Sequence, residues 1–353
     1  MDITPTNSRF EEYLRKFDES HWQDALESLS KSVHPVDRSA LKIWFRFHPL
    51  SLYRFLANGE PNAARRSVAM QGDFALDTQI DTSHQFLYGS RFWKAVKNEI
   101  EAENDGFDAD DKALEEVIRR VASTAAGVIR NDPSLLIAIT AVGMMTLAQV
   151  GIDKFKDASG SVDKPKGILA KSPEAVLASR KKDDSQGFFG FLRSVDKKYS
   201  VIHDERSNLR FEVLNDQEIA SASANDQTQD WQSRDPRCWE GPVPVECTSA
   251  SCGTCWVGVL AGSDKLSKIS RREGRAIKVF GYDHGNDDEP LIRLACQAKA
   301  HGNVTIVIPP WNAVFGKKVY GDVDELELEP VTTSAKALRE VVREARAIDS
   351  GDE

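Results

Sequence analysis

Three cysteines fall within nine residues, Cys247-Thr-Ser-Ala-Ser-Cys252-Gly-Thr-Cys255, and a fourth, Cys296, follows after a gap of 40. Thiols so closely spaced must come from a loop wrapped around whatever they bind, and the fourth must arrive from elsewhere in the fold. All five cysteines of the chain lie between Cys238 and Cys296. An odd number cannot pair completely, so the pattern points to a local site in the last third of the chain and not to a disulfide framework.

The spacing C-x4-C-x2-C with a distant fourth cysteine suits a [2Fe-2S] cluster, in which two sulfide-bridged irons each need two thiolates. The small polar residues between Cys247 and Cys255 let backbone amides turn inward, where they donate hydrogen bonds to sulfur and help set the reduction potential. Three other readings compete. Structural zinc sites usually come as two close CxxC pairs, whereas here three cysteines crowd one loop. A thiol switch on Cys252-Gly-Thr-Cys255 lacks the thioredoxin-like helix setting. A cluster that only props up the fold is the third. Cys238 is left over, as a partly buried free thiol or a spare ligand.

The segment resembles the plant-type and related bacterial [2Fe-2S] ferredoxins. SCGTCWVGVLAG looks like that family's ligand loop leading into a strand, and LIRLACQAKAHGNVTIVIP like its fourth-ligand segment running into a closing strand. The resemblance covers about residues 197–311, one-third of the chain. It implies a β-grasp fold, a mixed sheet crossed by a helix. It also implies a cluster on Cys247, Cys252, Cys255 and Cys296, the first two holding one iron and the last two the other. Ala250 departs from the glycine common at that position, and a positive φ there would strain it. The stretch from Ser221 to Pro244 is longer and poorer in helix formers than its family counterpart. The long gap between Cys255 and Cys296 suggests an insertion with its tip at GYDHGNDDEP.

The remainder of the chain has a different texture. From residue 8 to 152 apolar residues recur at helical spacing, as in Trp22, Ala25, Leu26 and Leu29, or Leu114, Val117, Ile118 and Val121. Asp37 is placed to cap RSALKIWF, and Pro61 to open a segment running to Met70. The 18-residue run Leu135 to Ile152 contains Thr140, Gly143, Thr146, Gln149 and Gly151 and is short for a membrane span. A buried central helix is favoured; membrane association through it stays open. Residues 157–196 read as a linker, with a short helix at Pro173 to Arg180 and an aromatic patch, Phe188 to Leu192. Period-two alternation then marks a hairpin, Tyr199 to His203 with Leu209 to Leu214, and strands at Trp256 to Leu260 and Val304 to Ile308. Ser270 to Phe280 reads as a helix with a basic face of Arg271, Arg272, Arg275 and Lys278. An acidic stretch, Asp322 to Glu329, precedes an amphipathic helix from Ser334 to about Ile348.

The expected architecture is therefore α+β: an α-helical domain over 1–156, the linker 157–196, a ferredoxin-like [2Fe-2S] domain over 197–320, and an acidic stretch with a C-terminal helix over 321–353. Lys plus Arg number 46 against 55 Asp plus Glu, a balance that argues against nucleic acid as partner. The seven histidines form no HxH or HxxxH pair, and no GxGxxG, P-loop or GxSxG motif is present. The N-terminal residues lack the charged start and apolar core of a secretory signal, so a cytoplasmic protein is expected, with a membrane-peripheral one as the variant. The function these readings imply is one-electron transfer between redox partner proteins, with no catalytic residue. The helical domain would dock a partner or form a homo-oligomer. The alternative is a regulatory or assembly module that senses the state of the cluster. An active site in the helical domain has no recognisable catalytic set to support it.

Overall fold

The computed structural model describes residues 8–108, 112–182, 197–282, 290–321, 323 and 341. Helices together with a mixed sheet make this an α+β protein. It divides into two units. The first comprises Met1–Phe55, Phe74–Ser179 and Glu205–Asn208; the second comprises Leu56–Asp73, Arg180–Asp204 and Leu209–Glu353.

The first unit is built around the helix Ser134–Val150, in which every residue from Leu135 to Gln149 is buried. A helix apolar on all sides must be enclosed, and the helices Trp93–Gly106 and Leu114–Ile129 pack against this one. Its hydroxyls are satisfied within the helix: Thr140 donates to the Leu136 carbonyl and Thr146 to that of Val142, both at 2.8 Å. Gly143 permits the close approach of the Trp93–Gly106 helix, since a Cβ there would lie 2.6 Å from Ile100. Among the described residues no helix is long and apolar enough to cross a membrane.

Asp37 precedes the helix Arg38–Phe47 as expected, but its side chain makes no capping bond. The carboxylate is fully buried and accepts instead from the Tyr88 and Gly89 amides at 2.6 and 2.8 Å. Two sequence-distant amides thereby compensate a buried charge that a local cap would have left half in water.

The second unit carries the strands β1 (Gln71–Gly72), β2 (Lys198–Asp204), β3 (Leu209–Leu214), β4 (Gln217–Glu218), β5 (Trp256–Ala261), β6 (Ile292–Leu294), β7 (Lys299–Ala300), β8 (Val304–Val307) and β9 (Trp311–Asn312). Its main sheet runs in the order β3-β2-β8-β5-β6. The β2–β8 pair is parallel and the other three are antiparallel. On the edge strand β3, Phe211 and Val213 are buried and Arg210 and Glu212 exposed, the alternation of a strand with one covered face. The helix Arg271–Phe280 lies between β5 and β6 in the chain, capped by Ser270 and closed by Gly281 in the left-handed region at φ 77°.

Two segments group otherwise than their sequence neighbours. Leu56–Asp73, with its helix Pro61–Ser67, belongs to the second unit. Residues 157–179 belong to the first, where the Lys166 and Leu169 amides donate to the Arg206 and Glu205 carbonyls. The stretch read as poor in helix formers holds two short helices, Ile219–Ser223 and Trp231–Arg234. The aromatic patch 188–192 and, apart from Val341, the expected helix 334–348 lie outside the described residues. So do most of the acidic stretch 322–329 and of the insertion tip 281–290.

Candidate metal centre

Strand pairing brings the third and fourth cysteines together. Trp256 pairs with Leu294 across β5 and β6, and just beyond that register the Ala295 amide donates to the Cys255 carbonyl at 2.9 Å. Cys296 then sits in a turn whose next two amides, Gln297 and Ala298, both return to the Leu294 carbonyl at 2.9 Å. The helix Ile219–Ser223 braces this turn, with the Ala220 amide on the Ala295 carbonyl at 2.9 Å. The gap of 40 residues is thus closed by an antiparallel ladder, the shortest route between two positions so far apart in sequence.

The other two cysteines reach the site through an irregular loop. Ala250 adopts φ 61° and Gly253 φ 68°, so two left-handed residues fold the backbone back on itself. Glycine at 253 is required on a second ground, because a Cβ there would lie 2.2 Å from the Phe280 ring. Ala250 bears the strain that glycine would avoid, and the expected departure is therefore a real one.

The four thiols influence one another: Cys247 chiefly feels Cys252 and Cys255 chiefly feels Cys296, with further charge effects of Cys252 on Cys255 and of Cys247 on Cys296. Cys247, Cys255 and Cys296 are buried and Cys252 is partly exposed. Cys247 is drawn below its ordinary thiol value by the Cys252 thiol and by the amides of Ser249, Ser251 and Cys252, against the effect of burial. Cys296 is drawn down by Cys255, and then by the Gln297 side chain and the Ala250 amide. Cys252 and Cys255 are pushed up, first by the neighbouring thiol, Cys247 and Cys296 respectively, and then by burial. Metal coordination removes the remaining protons from such thiols.

Three side chains that the sequence did not single out complete the surroundings. The Thr254 hydroxyl accepts the Glu246 amide at 3.1 Å and lies 3.1 Å from Cys252 Sγ. A hydroxyl accepts through its lone pairs and donates through its proton independently, so Thr254 can hold that amide and still give its proton to the sulfur, in keeping with its lowering effect on Cys252. The Gln297 amide donates to the carbonyls of Thr248 and Cys296, both at 3.0 Å, and approaches Cys296 Sγ at 3.7 Å. Glu273, inside the helix read as basic, accepts the Leu294 amide at 3.0 Å two residues ahead of Cys296.

Cys238 is not drawn into the set. It is buried, its thiol donates to the Pro242 carbonyl at 3.2 Å, and burial pushes its pKa up to about 12. Trp256 packs edge-on against Phe280 and Tyr282 with centroids 5.2 and 4.8 Å away, as a core residue does. His48 and His84 are buried in the first unit beside Trp44 and Trp93. Among the described residues no group of three or more His, Cys, Asp or Glu side chains is placed to hold a metal ion. Thiolates as a class are donors for soft metals. No family model, no curated protein and no solved structure matches the chain.

Proposed function

We propose that this protein is a one-electron carrier whose second unit is a β-grasp domain of the ferredoxin kind, holding a [2Fe-2S] cluster on Cys247, Cys252, Cys255 and Cys296. The observation that carries the reading is geometric: the Ala295 amide on the Cys255 carbonyl joins the distant fourth cysteine to the loop that carries the other three, and four thiolates are what two bridged irons require. The five-strand order with its one parallel pair, β2 on β8, supports the fold assignment.

When bound, the cluster supplies the redox couple. The chain does the rest. Its thiols give up their last protons, and the amides of Ser249, Ala250, Ser251 and Cys252 present N–H groups to sulfur. Such donors stabilise added negative charge and so raise the potential. Burial of Cys247, Cys255 and Cys296 keeps water from three of the four sulfurs, and Cys252 marks the edge nearest solvent, where a partner protein approaches. Between Val195 and Pro330, 16 Lys plus Arg stand against 22 Asp plus Glu, a balance that steers a basic partner. A cytoplasmic setting suits five free thiols.

The test is the absorption and low-temperature EPR of anaerobically purified protein before and after dithionite, with iron and zinc quantified. Visible bands that bleach, a rhombic S = ½ signal and about two irons per chain are expected. Protein that carries zinc, or remains colourless after reconstitution with iron and sulfide, would overturn the proposal.

A further inference from the structure

The segment Leu56–Asp73 leaves the first unit, contributes to the second, and returns. Its C-terminal part, from Ser67 to Asp73, is fastened there. The Val314 amide donates to the Val68 carbonyl at 2.7 Å, Gln71 pairs with Asn312 and Gly72 with Trp311, and the Asp73 amide donates to the Pro310 carbonyl at 3.0 Å. Lys318 reaches the Ser67 carbonyl. Gly72 has φ 79°, and a Cβ there would stand 2.4 Å from the Pro310 oxygen, so this crossing admits only glycine. Arg237 fastens the receiving strand through the Asn312 side chain at 3.2 Å and the Pro309 carbonyl at 2.8 Å.

At the centre of this strap, Gln71 donates its side-chain amide to the Glu246 carboxylate at 3.2 Å. Glu246 is the residue before the first ligand, its amide donates to Thr254, and Thr254 lies on Cys252 Sγ. Three hydrogen bonds thus run from Gln71, 175 positions ahead of Glu246, to the most exposed thiol of the loop.

We infer that Gln71 is a positioning residue for the ligand loop, and that the strap Leu56–Asp73 is a working part of the redox unit which sets the arrangement at Cys252 through Glu246 and Thr254. The inference rests on the electron-carrier reading for its redox consequence, though not for the positioning itself.

The experiment uses the full-length chain with Gln71→Met, which keeps the size and removes the donor, and Gln71→Lys, which restores a donor to Glu246. In metal-free protein, alkylation by iodoacetamide is followed at Cys252, with Cys238 as internal reference. Loss of one hydrogen bond predicts labelling of Cys252 about fivefold faster in Gln71→Met. Cys238 keeps its rate, and Gln71→Lys returns Cys252 close to wild type. After reconstitution with iron and sulfide, the midpoint potential falls in Gln71→Met and recovers in Gln71→Lys. Equal labelling of Cys252 in Gln71→Met and wild type, or equal acceleration in both variants, overturns the inference. So does an unchanged potential in protein that shows the S = ½ signal, and the carrier reading then stands. Wild-type protein that takes up no iron sinks the carrier reading instead, while labelling still decides whether Gln71 positions the loop.

Discussion

Glu273 and Arg293 form a fully buried bidentate ion pair, Nε to Oε1 at 2.7 Å and Nη2 to Oε2 at 2.9 Å. The same Oε1 accepts the Leu294 amide, so one carboxylate fixes the helix Arg271–Phe280 to the strand that delivers Cys296. Such a pair need not outdo an apolar replacement, but removing one partner strands the other charge in the interior. Glu273→Ala is therefore expected to destabilise the second unit by ~3–5 kcal/mol, read as a lower urea midpoint. A midpoint unchanged within error would show that Arg293 finds water or another acceptor.

Thr254 is expected to act through its hydroxyl proton. Thr254→Val keeps the shape, removes the donor to Cys252 and leaves the Glu246 amide unpaired, at a cost of about 1–3 kcal/mol. Thr254→Ser keeps both bonds. In reconstituted protein the valine variant should show a lower midpoint potential and the serine variant an unchanged one. Equal potentials in all three would mean that the hydroxyl points away from sulfur.

The parts of this protein that were legible in sequence are those with a local signature. The hairpin of β2 and β3 was visible as two alternating runs around a turn, and the Ser134–Val150 helix as an apolar run too short to span a membrane. What was hidden is long-range. The pairing of Gln71 with Asn312 involves two-residue strands with no period to detect, so its segment read as one more helix of the N-terminal part. Glu273 sits among arginines and gave no signal of its own; the fold places it with Ala276, Ile277 and Phe280 on the buried side of that helix. Asp37 looked like a cap because the cap position was right; only the fold reveals that the Tyr88 and Gly89 amides claim its side chain.

The two buried histidines make the first unit sensitive to acid. Burial lowers the pKa of His48 to about 3 and of His84 to about 4, against 6.5 for a free imidazole; near His84, Asp81 opposes that effect without reversing it. Between about pH 6.5 and 4 the unfolded chain therefore binds more protons than the folded one, and stability falls as pH falls. Once the unfolded imidazole is charged, each histidine contributes a slope of about 1.4 kcal/mol per pH unit. Urea midpoints measured from pH 7.5 to 5 should drop steadily, and His84→Leu should flatten the slope by about half. A slope that His84→Leu does not alter would assign the acid sensitivity to other groups.

Gly253 and Phe280 offer a test of what shapes the ligand loop. Gly253→Ala introduces two separate penalties: a positive φ, costing about 1–2 kcal/mol for an L-residue, and a Cβ 2.2 Å from the Phe280 ring carbons. The second is the larger, because the ring is fully buried between the loop and Trp256 and has no room to withdraw. The single variant is expected to lose the loop conformation, seen as rapid alkylation of both Cys252 and Cys255 in metal-free protein and poor iron uptake on reconstitution. Phe280→Leu alone should be milder, since it loses packing without moving the backbone. Combined, the two substitutions should couple favourably: the smaller side chain admits the new Cβ and leaves only the φ strain, so the double variant recovers slow alkylation at Cys255. If the double variant is no better than the sum of the singles, the backbone angle and not the ring dictates glycine at this position.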